Sequence, residues 1–130
     1  MPHYPVGIGV ILHNDRVLIG KRKKEQMLGG LWEFPGGKQE PGEGIEATVV
    51  RELQEELAIE VEVTELLISL DHAYSHKRLR FEVYWCRLIS GRPQPLASQA
   101  VRWVLPEQLD NFPFPAANQK IINAILRNIL

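Results

Sequence analysis

Three carboxylates, Glu52, Glu55 and Glu56, crowd the end of residues 36–57, GGKQEPGEGIEATVVRELQEEL, directly after a glycine-rich stretch. Ile45, Val49, Leu53 and Leu57 recur every four residues, the spacing of an apolar stripe on an α-helix. With Ile45 at zero on a helical wheel, the other three fall at about 40°, 80° and 120°, whereas Glu52, Glu56 and Glu55 fall at about −20°, 20° and −80°. The glutamates therefore run along the edge of the buried stripe and even into it. Free anions there are costly, and three like charges so close repel and raise at least one pKa. A hard divalent cation, Mg²⁺ above all, relieves both problems through oxygen ligands.

Composition alone is also explained by a Glu-rich surface helix with Arg51 and Arg22 as salt partners, because Glu is a strong helix former. The glycines Gly36, Gly37, Gly42 and Gly44 tilt the balance. They leave backbone groups accessible, so that a carbonyl can join the carboxylates as a ligand and an amide can face a phosphate.

Gly37, Glu43 and the run Arg51-Glu52-Leu53-Gln54-Glu55-Glu56, with five residues and then seven between them, resemble the Nudix box, the signature of hydrolases acting on nucleoside diphosphates linked to another group. Ala58 departs from the usual Gly and is followed by the expected aliphatic Ile59; the departure should alter the helix C-cap more than the metal ligands. The resemblance implies an α+β protein with the Nudix fold, an α/β/α sandwich on a mixed β-sheet. It implies Mg²⁺, with Mn²⁺ as a substitute, held by Glu52, Glu55, Glu56 and the Gly36 carbonyl. Glu43 and Arg51 would hold loop and helix together, completing a catalytic set of Glu43, Arg51, Glu52, Glu55 and Glu56. Such metals bridge diphosphate oxygens and lower the pKa of an attacking water, with Glu55 or Glu56 the candidate general base.

Outside the box, LWEFPGGK and FPFPAANQKII resemble segments of the MutT branch, the nucleotide-pool sanitising enzymes that hydrolyse oxidised dGTP and so serve DNA repair. By that resemblance Asn118 contacts the purine base, and its amide can both donate and accept as a guanine-type edge requires. A helix N-cap is the bland alternative for Asn118. Arg22 and Lys38 match positions close to substrate phosphates, and Phe34 belongs to the substrate-binding set. Where the MutT pattern has a further metal-linked Glu before a Trp, this chain has Arg102 before Trp103.

The implied activity is Mg²⁺-dependent hydrolysis of 8-oxo-dGTP, or a related oxidised purine nucleotide, to the monophosphate and pyrophosphate. Alternatives within the family are a CTP or dCTP derivative, ADP-ribose or a dinucleoside polyphosphate. From another class comes a non-catalytic reader of oxidised guanine, but such readers lack the carboxylate set that this chain retains.

These side chains must be positioned by a small framework. YPVGIGVILH alternates Val6, Ile8, Val10 and Leu12, ND supplies a turn and RVLIGKR follows, so residues 4–22 read as a hairpin. Gly7 and Gly9 share the opposite face, for close packing or for a ligand over the sheet. Residues 23–31 read as a loop, 45–57 as a helix, and 59–75 and 77–90 as strands with Leu79, Phe81, Val83 and Trp85 on one face. A turn-rich connector, a short strand at VRWV, a short helix led by Pro106 and a final helix carrying Ile121, Ile122, Ile125, Leu126 and Ile129 complete the chain. That order suggests a mixed sheet covered by helices on two faces, in one domain spanning residues 1–130.

Fifteen basic against sixteen acidic residues give a formal charge of −1, which provides no field for a long nucleic acid. A small nucleotide is the expected partner, and a monomer the expected state, with a homodimer the alternative. No stretch approaches the ~20 apolar residues of a membrane span. Cys86 cannot pair within the chain, which suits a cytoplasmic setting, and it reads as a core residue rather than a nucleophile. His72 and His76 lie in a strand-turn stretch that disfavours a metal pair, and Trp32, Trp85 and Trp103 read first as core.

Overall fold

The structure, a computed structural model, describes residues 3–73 and 75–129; the expected strand at Tyr74 and the end of the last helix at Leu130 lie outside them. Alternation along strand β1 (His3–His13) builds both sides of the protein at once. Val6, Ile8 and Val10 join one core cluster, while Ile11 joins a second. Gly7 and Gly9 lie on the second side, where an added Cβ would press on Val49 and Leu53 of helix α1 (Ile45–Leu57). Their small size thus serves close helix approach and not a ligand.

Strand β2 is Arg16–Lys21, β3 Trp32–Glu33, β4 Gly36–Lys38, β5 Glu60–Ala73, β6 Arg78–Ser90 and β7 Ala100–Val104. The sheet runs β3-β2-β1-β6-β5, with β4 also on β1 and β7 also on β2. β1 and β6 are parallel and the other pairs antiparallel, so the sheet is mixed. The expected hairpin is a hairpin only at its tip, where Leu12 faces Val17 and His13 faces Arg16. Asn14 and Asp15, both at positive φ, make the tight turn. Below the tip the strands part, because β6 and β4 flank β1 while β3 and β7 flank β2.

Helix α1 buries Thr48, Val49, Leu53 and Leu57 against the Ile11 side. Helix α2 (Gln119–Ile129) buries Ile121, Ile122, Ala124 and Ile125, the three isoleucines lying against the Val6 side. The two helices cover the two faces, as the sequence order suggests. Pro106 does open a short helix, but of 3₁₀ type, Pro106–Asn111. No helix among the described residues is long and apolar enough to cross a membrane.

Candidate functional site

The segment between β4 and α1 is organised by one guanidinium. Arg51 grips Glu43 with both edges of its fork, Nε to Oε2 at 2.7 Å and Nη2 to Oε1 at 3.0 Å. Its Nη1 donates to Glu52 at 2.9 Å and Glu55 at 3.1 Å, and Nη2 also donates to the Lys38 carbonyl at 3.1 Å. Glu43 accepts in addition from the Thr48 hydroxyl at 2.7 Å and the Glu40 amide at 3.1 Å. Hydrogen bonds from Arg51 and then Thr48 hold its carboxyl down at about 2, while the bond to Glu43 and then that to Glu52 raise the Arg51 pKa. This network clamps the glycine loop onto the first two turns of α1.

Glu56 stands apart from that clamp. Burial first, then a hydrogen bond with Glu52 and the charges of Glu52 and Glu33, push its carboxyl up to about 9. The Gly36 backbone amide acts the other way by donating to it. Gly37 lies so close to Glu52 that an added Cβ would overlap the carboxylate, and a Cβ on Gly36 would collide with the Gly7 carbonyl. The protonated Glu56 thus lies beside the Glu52 carboxylate and a bare backbone lip, in a setting of hard oxygen donors that suits a divalent cation. Glu55 is turned toward Arg51 and is largely exposed. Among the described residues no three His, Cys, Asp or Glu side chains already converge as a metal cage.

Beyond the lip opens a cavity of about 710 Å³. Arg22, Phe34, Gly36, Lys38 and Asn118 all line it, brought together from three separate stretches of sequence. Phe34 is buried and stacks on Phe114 with ring centroids 5.3 Å apart. Lys38 holds its ammonium 5.2 Å from the centre of the Tyr4 ring. Asn118 ends the short 3₁₀ turn before α2; its amide N–H bonds the Pro115 carbonyl, and its side-chain amide has no partner among the described residues. The N-cap alternative therefore lacks its hydrogen bond. Arg22 spends Nη1 on Glu33 at 2.7 Å and Nε on the Met27 carbonyl at 2.8 Å.

Several residues singled out in sequence lie elsewhere. Arg102 is exposed on β7 with its guanidinium 5.5 Å from the Phe112 ring centre, away from the cavity. Cys86 is buried and its thiol is pushed up to about 12 by burial, which removes it as a nucleophile. Trp32 packs edge-on to Phe112 in the core, and Trp85 and Trp103 pack against the two clusters. His76 reaches the cavity wall, whereas His72 sits on β5.

Sequence reasoning missed Glu33, which pairs with Arg22 and adds to the negative field on Glu56. Its place one residue before Phe34 in LWEFPGGK was the available signal. It also missed Met27 and Leu28, two large apolar side chains of the β2–β3 loop that line the cavity.

Known proteins resemble this chain in sequence and fold. The chain is 32% identical over 117 residues to a CTP pyrophosphohydrolase of Escherichia coli (strain K12), covering 90% of this chain and 87% of that protein. It is 30% identical over 128 residues to the 8-oxo-dGTP diphosphatase of the same organism, covering 98% and 99%. The crystal structure of a MutT NUDIX hydrolase from Burkholderia pseudomallei superposes with a TM-score of 0.86 at 28% identity, covering 96% of this chain and 99% of that one. The family described as NUDIX domain matches residues 7–124. With the Gly37–Glu56 segment folded as a loop clamped to a helix and the match spanning nearly the whole chain, this protein belongs to the NUDIX domain family.

Proposed function

We propose that the protein is a divalent-metal-dependent nucleoside triphosphate pyrophosphohydrolase that converts 8-oxo-dGTP, or a related oxidised purine nucleotide, to the monophosphate and pyrophosphate. The single observation that carries the reading is the continuity of the cavity. It has Asn118 and Phe34 among its walls, and its Gly36–Gly37 lip backs directly onto Glu52 and Glu56.

Glu52 and Glu56 would hold Mg²⁺, with Mn²⁺ as a substitute, beside the Gly36 backbone, and Glu55 would be the further carboxylate ligand. The ion, when bound, supplies charge neutralisation on the diphosphate and an acidified water. Lys38 takes a phosphate oxygen by a charge-assisted contact. Arg51 and Glu43 keep the lip and the helix in register, so the carboxylates meet the phosphates at a constant distance. Asn118 donates to and accepts from the base edge, with Phe34 backing the pocket. Glu55 or Glu56 removes the proton of the attacking water. The setting is the cytoplasmic nucleotide pool, where such hydrolysis protects DNA from oxidised precursors.

A second reading, a pyrophosphohydrolase of CTP, is favoured by the relative of that name at 32% identity. Pyrophosphate release from 8-oxo-dGTP, dGTP, CTP, ADP-ribose and diadenosine polyphosphates, ranked by kcat/KM, separates the two. Asn118→Ala should reduce the preference for the oxidised purine by about tenfold or more, the cost of leaving base-edge groups unpaired. An unchanged preference removes Asn118 from base recognition, and no release from any of them removes the enzymatic reading.

A further inference from the structure

One wall of the cavity is made by the loop between β2 and β3. Met27 and Leu28 line the cavity yet are 78% and 46% exposed, among the most exposed large apolar residues of the protein. Leu28 has φ 59°, a left-handed conformation that is unfavourable for a leucine and persists only where surroundings impose it. The surroundings here are specific. Gly29 N–H bonds the Gln26 carbonyl at 3.0 Å and Leu31 N–H the Leu28 carbonyl at 3.2 Å, so the loop closes on itself. Arg22 then anchors it at three points: its N–H to the Leu31 carbonyl at 2.9 Å, its carbonyl to the Gly30 N–H at 3.0 Å, and its Nε to the Met27 carbonyl at 2.8 Å.

One further tie reaches Arg22 from across the chain. The Gln99 side-chain amide donates to the Arg22 carbonyl at 2.7 Å, and the Gln99 backbone N–H donates to the Lys21 carbonyl at 2.8 Å. Gln99 itself does not line the cavity. A strained, self-bonded turn that presents two apolar side chains to this cavity is a surface prepared for something flat and apolar-faced. In a cavity bounded by Phe34 and Asn118, the flat group of a nucleotide is its base.

We propose that Met27 and Leu28 form the apolar wall of the base subsite and that Gln99, acting through Arg22, is the positioning residue that holds this wall in place. The inference rests on the nucleotide reading above and deepens it. Arg22 contributes to specificity by tethering the loop, with Nε and Nη1 committed to Met27 and Glu33. Gln99 touches neither base nor phosphate.

The chain has two methionines, Met1 and Met27, so ¹³C-methyl labelling yields one reporter at the wall. Wild type, Gln99→Glu, which keeps the shape but loses the N–H donor, and Gln99→Lys, which keeps a donor, are titrated with 8-oxo-dGMP and CMP. In parallel, KM and kcat are measured with the triphosphates and with an abasic deoxyribose triphosphate. The Met27 methyl signal should shift saturably with one monophosphate. In Gln99→Glu the Kd and the KM of the matching triphosphate should rise about three- to tenfold, the net worth of one hydrogen bond, with kcat nearly constant. Gln99→Lys should recover part of the loss, and the abasic triphosphate should show no change. A bound monophosphate that leaves the Met27 methyl unshifted, a wild-type KM in Gln99→Glu, or a loss confined to kcat overturns the proposal while the enzymatic reading stands. A wild type that hydrolyses and binds no nucleotide overturns both.

Discussion

Glu56→Gln should remove the loss of stability with rising pH that Glu56 imposes on the metal-free protein. Unfolded, the Glu56 carboxyl releases its proton near its ordinary value of 4.5, whereas in the folded protein burial and the Glu52 carboxylate keep the proton on to about 9. Between those limits folding takes up a proton, so raising the pH works against the folded state. The slope reaches ~1.4 kcal/mol per pH unit, so moving from about pH 6 to about pH 8 removes roughly 2.7 kcal/mol and lowers Tm by roughly 8–14 °C. Gln at position 56 can donate to Glu52 as the protonated acid does, without a proton to lose. Urea unfolding of both proteins in chelator across that range, compared as a difference so that other titrations cancel, isolates the effect. Millimolar Mg²⁺ should flatten the wild-type decline, because ion binding grows as the proton leaves. Parallel stability curves for wild type and Glu56→Gln would refute the reasoning that burial and Glu52 keep this carboxyl protonated.

Three other substitutions or probes read different parts of the structure. Gly37→Ala puts a methyl group into the Glu52 carboxylate and should cost about 10–100-fold in Mg²⁺ affinity, measured by activity against metal concentration; a normal metal dependence contradicts the packing at the lip. Ala58 caps α1 in the left-handed conformation with its N–H on the Gln54 carbonyl, so Ala58→Gly should add about 0.5–1 kcal/mol in denaturant unfolding and leave kcat/KM alone. A destabilised Ala58→Gly would show that the cap carries no strain. Cys86 should resist thiol reagents at pH 8 in the native protein and label fully in denaturant, since burial holds the thiol up at about 12; rapid native labelling would place it in an exposed setting.

Local sequence determined a good deal. The four-residue period of Ile45 to Leu57 encodes the helix within its observed limits, since an apolar stripe needs no distant partner to be recognised. Alternation along β1 encodes two opposed faces, and Asn14-Asp15 encodes the turn between β1 and β2. The Gly37-to-Glu56 spacing is enough to suggest the NUDIX domain family, to which the chain belongs.

Tertiary structure decided the rest, because each remaining feature depends on contacts between residues far apart in the chain. The β1–β2 hairpin parts below its tip since β6, β4, β3 and β7 compete for the strand edges, which no local pattern records. The wheel put Glu52, Glu55 and Glu56 on one flank of α1. Arg51, reaching back to Glu43, also holds Glu55, and only Gly37 and Glu33 arriving from elsewhere set the buried Glu56 and its neighbour Glu52 apart from it. Met27 and Leu28 become a cavity wall through Gln99, whose bond to Arg22 spans seventy-seven positions. Charge and periodicity are properties of neighbouring residues, whereas a binding cavity is a property of chain segments that meet only after folding.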